Sequence, residues 1–245
     1  MKAKMLLAAL FGVAIWSLSS FTAASWSSGA CPQPHTGGAP CIETVVNGNT
    51  YHFNGDGGHA GSWHGLPAAE GGGDFEFQNS GVELLCASIN PNCDVVLNGQ
   101  LKKCQDSDGN WRLGVRVTGG NFSGSFWCNG QDLSGFPWYS ADPASHDHDA
   151  GQCPFIDDCD NFLPYDPSAS NYVGHFGEVT MSSLLGTHID AAHVHNMIFT
   201  ANNQGALPTA NFHFADRAFF DCQGEWTCSI DGILYLDNAD ELNIY

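Results

Sequence analysis

The stretch from Cys86 to Trp138 most constrains the fold. It carries three consecutive runs of alternating character. Cys93, Val95, Leu97 and Leu101 alternate with Asp94, Asn98, Gln100 and Lys102. Trp111, Leu113, Val115 and Val117 alternate with Arg112, Gly114, Arg116 and Thr118. Phe122, Phe126 and Cys128 alternate with Ser123, Ser125 and Trp127. Successive strand side chains point to opposite faces, so each run has one apolar and one wetter face. DSDGN at 106–110 and GGN at 119–121 read as turns. The expectation is a three-stranded antiparallel meander, with Phe126 facing the core.

The rest of the chain extends this pattern. Residues 75–85 alternate as a strand leading into the meander. Residues 178–200 and 210–220 return to strands, the latter with Phe212 and Phe214 on one face. The last strand places Cys228, Ile230, Leu234 and Leu236 together. CASINPNCDVVLNGQL and CQGEWTCSIDGILYL share two cysteines and then a strand broken by glycine, a weak internal repeat. No helical stripe competes. The expected class is all-β, a disulfide-stapled antiparallel β-sandwich or jelly roll.

The first 24 residues read as a secretory signal peptide. Lys2 and Lys4 are followed by the apolar run Met5 to Trp16 and by small residues up to Ala24. No later segment is apolar for long enough to span a membrane as a helix. Residues 25–74 read as a Gly/His-rich N-terminal arm, with one strand pattern from Ile42 to Phe53 broken at NGN. Residues 75–245 read as the sandwich domain, with a long loop insertion at 139–177. The expected localisation is secreted, either extracellular or at the cell surface, with the periplasm as the other compartment.

Charge narrows the partners. The chain has 7 basic and 26 acidic residues, a net charge of −19. Loss of Lys2 and Lys4 with the signal leaves five cations. Five cations do not build a basic groove, so nucleic acid is excluded as a partner. Charged residues are only 13% of the chain, below the usual quarter or so. Weakly charged strand edges favour self-association.

Ten cysteines in an exported chain imply disulfides. Cys31/Cys41, Cys153/Cys159 and Cys222/Cys228 are local pairs. Cys86, Cys93, Cys104 and Cys128 belong to the meander. A simple up-down-up sheet favours Cys104–Cys128 and Cys86–Cys93. A third strand crossing to a second sheet allows Cys93–Cys128.

Two groups are candidate metal ligands. His193 and His195, two apart on a strand, share a face at about 6.6 Å, and with His188 and the later His213 they suit Cu or Zn. Asp147 and Asp149, interleaved with His146 and His148, precede Asp157, Asp158, Asp160 and Asp166 and suit Ca²⁺. Asp106, Asp108 and Asn110 resemble a calcium half-loop, but D-G at a hairpin serves the backbone alone. His52, Asp56, His59 and His64 are further ligand types in the arm. Hydrolase signatures such as G-x-S-x-G and H-E-x-x-H are missing from the sequence. Trp63, Trp111, Trp127, Trp138 and Trp226 are candidates for a carbohydrate platform.

Cys93, Gly99, Gly124, Cys128, Leu133, Gly135, Pro137 and Trp138, with the closing Cys228-Ser-Ile-Asp-Gly-Ile-Leu, resemble the exported bacterial PraB-like family, the protein activators of alkane oxidation. The resemblance covers the meander and the tail. It implies a non-enzymatic secreted or cell-surface β-protein associated with hydrophobic substrates or biofilm matrix. It also implies Cys93–Cys128, and it supplies no catalytic residue. The partners expected are further copies of the chain, polysaccharide, the cell surface or a hydrophobic substrate.

Overall fold

A computed structural model describes residues 26–32, 38–53, 61–86, 90–144, 155–183, 186–221 and 225–245. In chain order the strands are β1 (Ser27–Ser28), β2 (Ile42–Val46), β3 (Asn49–Phe53), β4 (Phe75–Cys86), β5 (Asn92–Gln105), β6 (Trp111–Gly124) and β7 (Gln131–Ser134). They continue as β8 (Trp138–Ala141), β9 (Leu163–Pro164), β10 (Tyr172–Ser183), β11 (Gly186–Thr200), β12 (Asn211–Phe220), β13 (Trp226–Leu236) and β14 (Glu241–Ile244). Helix is confined to single turns among the described residues, among them α1 (Phe126–Asn129). The fold is all-β, antiparallel and stapled by disulfides.

The principal sheet closes on itself. Its order is β11-β12-β13-β4-β5-β6-β8-β10, and β10 pairs back onto β11, giving an eight-stranded barrel. Closure removes the free edges of that ring. The apolar faces read from the sequence point inward. Val95, Leu97, Val117, Phe122, Val194, Phe214 and Ile230 all line the lumen. A second sheet, β1-β3-β2-β14, joins the N-terminal segment to the C-terminal strand.

That second sheet corrects the reading of residues 25–74 as an arm that is loop outside one strand pattern. The expected hairpin forms, with Gly48 in the left-handed region at φ 76°. The region is also built into the molecule. Cys31 bonds Cys41, Ile42 pairs with Ile244, and the Lys103 ammonium donates to the Pro40 carbonyl at 2.6 Å. The 139–177 segment is likewise less of an insertion than expected. Its two ends lie in β8 and β10, both barrel strands.

The meander differs from expectation in a way that explains the disulfides. GGN at 119–121 is not a turn. It lies inside β6, which pairs with β5 from Gln105↔Trp111 to Cys93↔Gly124. A register shift between Asn98 and Gly99 marks a bulge. The bulge moves the inward face of β6 from Leu113, Val115 and Val117 to Phe122, which makes one long strand look like two short ones. Gly120 is needed for close approach. A Cβ there would lie 2.7 Å from the Val96 carbonyl oxygen and 2.6 Å from Leu97 Cδ2.

The third run then breaks at Gly124, where Ser125 caps α1 and accepts from the Cys128 amide. Cys128 therefore sits at the same barrel end as Cys93, and they bond. This replaces the Cys104–Cys128 pairing. Cys86 bonds Cys228 rather than Cys93, and Cys104 bonds Cys159. Those two bridges also exclude the local pairs Cys153/Cys159 and Cys222/Cys228. Cys153 and Cys222 lie outside the described residues. The two repeat-like strands, β5 and β13, flank β4 on either side in one sheet.

Candidate functional site

The barrel interior is the first place to look for a ligand. Its lining is wholly apolar and comes from every strand of the ring, with Leu133 added from β7. The space left between these side chains is about 40 Å³. Ligand pockets run to roughly 300–1,000 Å³. The lumen is therefore a packed core, and binding must be sought on the outside.

The histidines of β11 do come together, with a partner the sequence reading missed. His193 and His195 alternate with the inward Val194, so they lie on the outer face of the barrel. His175 does the same beside the inward Phe176. All three are buried. The rings of His175 and His195 stack with centroids 4.2 Å apart, and those of His193 and His195 at 4.6 Å. Phe155 and Phe220 pack against the stack. His175 Nδ1 accepts from the Asn196 amide at 3.0 Å, which places its proton on Nε2. The alternation of VGHFG could have found His175, once Phe176 was assigned inward.

An imidazole coordinates through a lone pair in its own ring plane, so parallel stacked rings do not aim three lone pairs at one point. His213 pairs in register with Ile198 and Ile233. His188 lies in β11 with its side chain outside the described set.

The described acidic residues are each committed to a separate task. Asp157 accepts from Lys102 Nζ at 2.7 Å and from Trp63 Nε1 at 2.9 Å. Asp158 caps a 3-10 turn by accepting from the Asp160 amide. Asp160 accepts from the Ser107 amide at 2.5 Å, and Asp166 from Ser168. This arrangement ties the 155–162 segment onto β5 and β6, together with the Cys104–Cys159 bridge. The expected Ca²⁺ cluster is thus replaced by turn and ion-pair chemistry at these positions. Asp147 and Asp149, with His146 and His148, lie outside the described residues.

Asp106 accepts from the Asp108 and Asn110 amides and from Arg112 Nε at 2.8 Å, and its carboxyl is held below the usual range. Burial works against that lowering; the Arg112 and Asn110 hydrogen bonds outweigh it. Among the described residues no group of three or more His, Cys, Asp or Glu is placed to hold a metal ion.

In the N-terminal sheet, His52 contacts the Gly29 carbonyl through Nδ1 at 2.8 Å. His64 is buried, stacked on Phe53 with centroids 3.7 Å apart, and edge-on to Trp26. Burial, aided by the nearby Lys103 charge, pushes its pKa down to about 4. Its Nδ1 has no hydrogen-bond partner among the described residues. Asp56 and His59 lie outside them.

Two of the exposed large apolar side chains sit side by side at one barrel end. Phe126, expected in the core, is 82% exposed, and Trp127 is 42% exposed. Their rings pack edge to face at 5.7 Å. The one-turn helix α1 turns both outward, while the buried Cys128 of the same turn is fixed to β5 through Cys93. The tip is an apolar pair on a covalently anchored base.

No protein-family model matches the chain, and none of the curated proteins or solved structures compared with it matches either. The protein class is therefore defined by its own geometry: a disulfide-stapled, closed antiparallel barrel with a solid apolar core.

Proposed function

We propose that this is a non-enzymatic exported protein that associates with hydrophobic material at the cell surface or in the extracellular matrix. The observation that carries the reading is the Phe126/Trp127 pair, held outward on a turn bridged to the barrel. Large aromatics are usually withdrawn from water; a paired, rigidly mounted exposure marks a contact surface. Four disulfides fit an oxidising compartment outside the cytoplasm. No helix among the described residues is long and apolar enough to cross a membrane. The acidic net charge disfavours anionic surfaces and leaves uncharged apolar ones. The resemblance to PraB-like proteins points the same way.

The test is adsorption at a hexadecane–water interface. The wild type is expected to partition to the oil, and the double variant Phe126→Ser/Trp127→Ser to remain in water with its thermal melt unchanged. A wild type that stays in water, or a double variant that adsorbs equally, would overturn the reading.

A further inference from the structure

A cleft of about 600 Å³ opens at the start of β6, the barrel end opposite Phe126. The ends of this strand, Trp111 and Gly124, are separated by roughly 40 Å of extended chain. The cleft is lined by Trp111, Tyr165, Pro164 and Pro167, with Asn110 and Arg112 as its polar side chains. Its volume falls in the range of small-ligand sites.

The fold builds this cleft rigidly. β9 pairs with β6 through Arg112↔Pro164, and the Tyr165 amide donates to the Trp111 carbonyl at 3.0 Å. Trp111 and Tyr165 are therefore cross-strand neighbours on one side of the ladder. The ammonium of buried Lys103 lies 5.6 Å from the Trp111 ring centroid and is tied to Pro40. Arg112 is fixed by Asp106, by Asp142 at 3.2 Å and by the Phe162 carbonyl at 3.3 Å. The polar side chains are held in place before any ligand arrives.

The chemistry of the lining selects the ligand class. Two aromatic side chains and two proline rings offer flat apolar faces, while an amide, a phenol and a guanidinium edge offer hydrogen bonds. Sugar rings have this same division, with C–H faces and hydroxyl edges. The cationic charge of Arg112 is already offset by Asp106 and Asp142, with Asp108 and Asp166 close in sequence to the lining residues, so an anionic ligand is repelled. We infer that the Trp111–Tyr165 cleft binds a neutral oligosaccharide segment. This goes beyond the apolar tip and rests on different residues.

The test uses the disulfide-intact protein and cellohexaose, maltohexaose and laminarihexaose as probes. Calorimetry gives affinity, and the Trp111 indole N–H resonance gives location. The expected result is that at least one hexasaccharide binds and shifts that resonance. Trp111→Ala and Tyr165→Ala should each weaken binding by about tenfold or more, and Trp127→Ala should leave it unchanged. Oil adsorption by Phe126 and Trp127 is read separately, so the two proposals fail independently. The inference is overturned if none of the three sugars binds at about 10 mM. A shift confined to other tryptophans would overturn it too. So would preferential binding of decaproline or of an anionic oligogalacturonate. If either alanine variant fails to melt cooperatively, the wild-type Trp111 resonance decides alone.

Discussion

Cys86 and Cys228 are register partners on the adjacent strands β4 and β13, with Cα atoms 4.5 Å apart, and a disulfide joins them across 142 residues. It is the longest-range of the four bridges among the described residues and locks the seam between the N-terminal and C-terminal strands of the barrel. In the chain-entropy account a loop of that length is worth about 5 kcal/mol. The Cys93–Cys128 and Cys104–Cys159 bridges lie within the loop and shorten it to roughly 90 residues, which lowers this only to about 4.5 kcal/mol. Cys86→Ser/Cys228→Ser should therefore lower stability more than Cys31→Ser/Cys41→Ser, whose loop spans only 10 residues. Urea unfolding of the two double variants checks the order; equal losses would refute it.

The outer edge of β14 is covered by side chains rather than by another strand. Asn203 accepts from the Ile244 amide at 3.0 Å and donates to the Ile244 carbonyl at 2.6 Å, while Asn202 accepts from the Leu242 amide at 2.9 Å. Asn203→Ala should cost about 1–2 kcal/mol for the groups left without partners. It should also open the edge to strand addition. Size-exclusion chromatography across a concentration series should show self-association in the variant at concentrations where the wild type shows none or less. The same elution volume for both at every concentration would count against this account of the edge.

The sequence was legible where one face met the core and illegible where a single residue changed the phase. The strands at 75–85 and 210–220, and the closing face of Cys228, Ile230, Leu234 and Leu236, appear where alternation put them, because a period of two has one solution once one face is apolar; the strand residues of 178–200 divide between the end of β10 and β11, and β10 begins at Tyr172, inside the expected loop. GGN at 119–121 resembles a turn in the sequence because turn chemistry and the close approach at Gly120 both select glycine. A turn there would split β6 in two, place Phe126 inside and favour Cys104 as the partner of Cys128, whereas the Cys93–Cys128 bridge that a crossing third strand allows and the resemblance implies is the one that forms. Pairing of Cys86 with Cys228 and Cys104 with Cys159 was hidden because barrel closure is a long-range property. The histidine stack was half legible: His193 and His195 share a face by spacing, whereas His175 joins them only through the pairing of β10 with β11.

Gly120 provides a direct check of that distinction. If it were a turn glycine with positive φ, alanine would cost about 1–2 kcal/mol of backbone strain alone. As a close-approach glycine it should cost more, about 2–3 kcal/mol, because a methyl group must displace the Val96 carbonyl or the Leu97 side chain within a paired ladder. Chemical denaturation of Gly120→Ala separates the two. Gly109→Ala, at a true hairpin turn with φ 83° and open space around its Cβ position, serves as the comparison.

His64 makes a prediction about acid. Its pKa in the folded protein is about 4, below the usual value of about 6.5 for a solvated imidazole, because burial disfavours the imidazolium. Between these values the unfolded chain binds a proton that the folded chain does not. The contribution is fully present above pH 6.5 and is lost progressively as pH falls through the folded pKa. A shift of this size corresponds to an upper bound of about 3 kcal/mol. His64→Phe removes the proton uptake and keeps an aromatic ring against Phe53. The stability difference between wild type and variant should therefore move in the variant's favour as pH drops from 7 to 4. Carboxylates titrate in both proteins and largely cancel in the difference. Urea midpoints at pH 7, 5.5 and 4 measure it, and a difference that does not change with pH would show that His64 is protonated in the folded state.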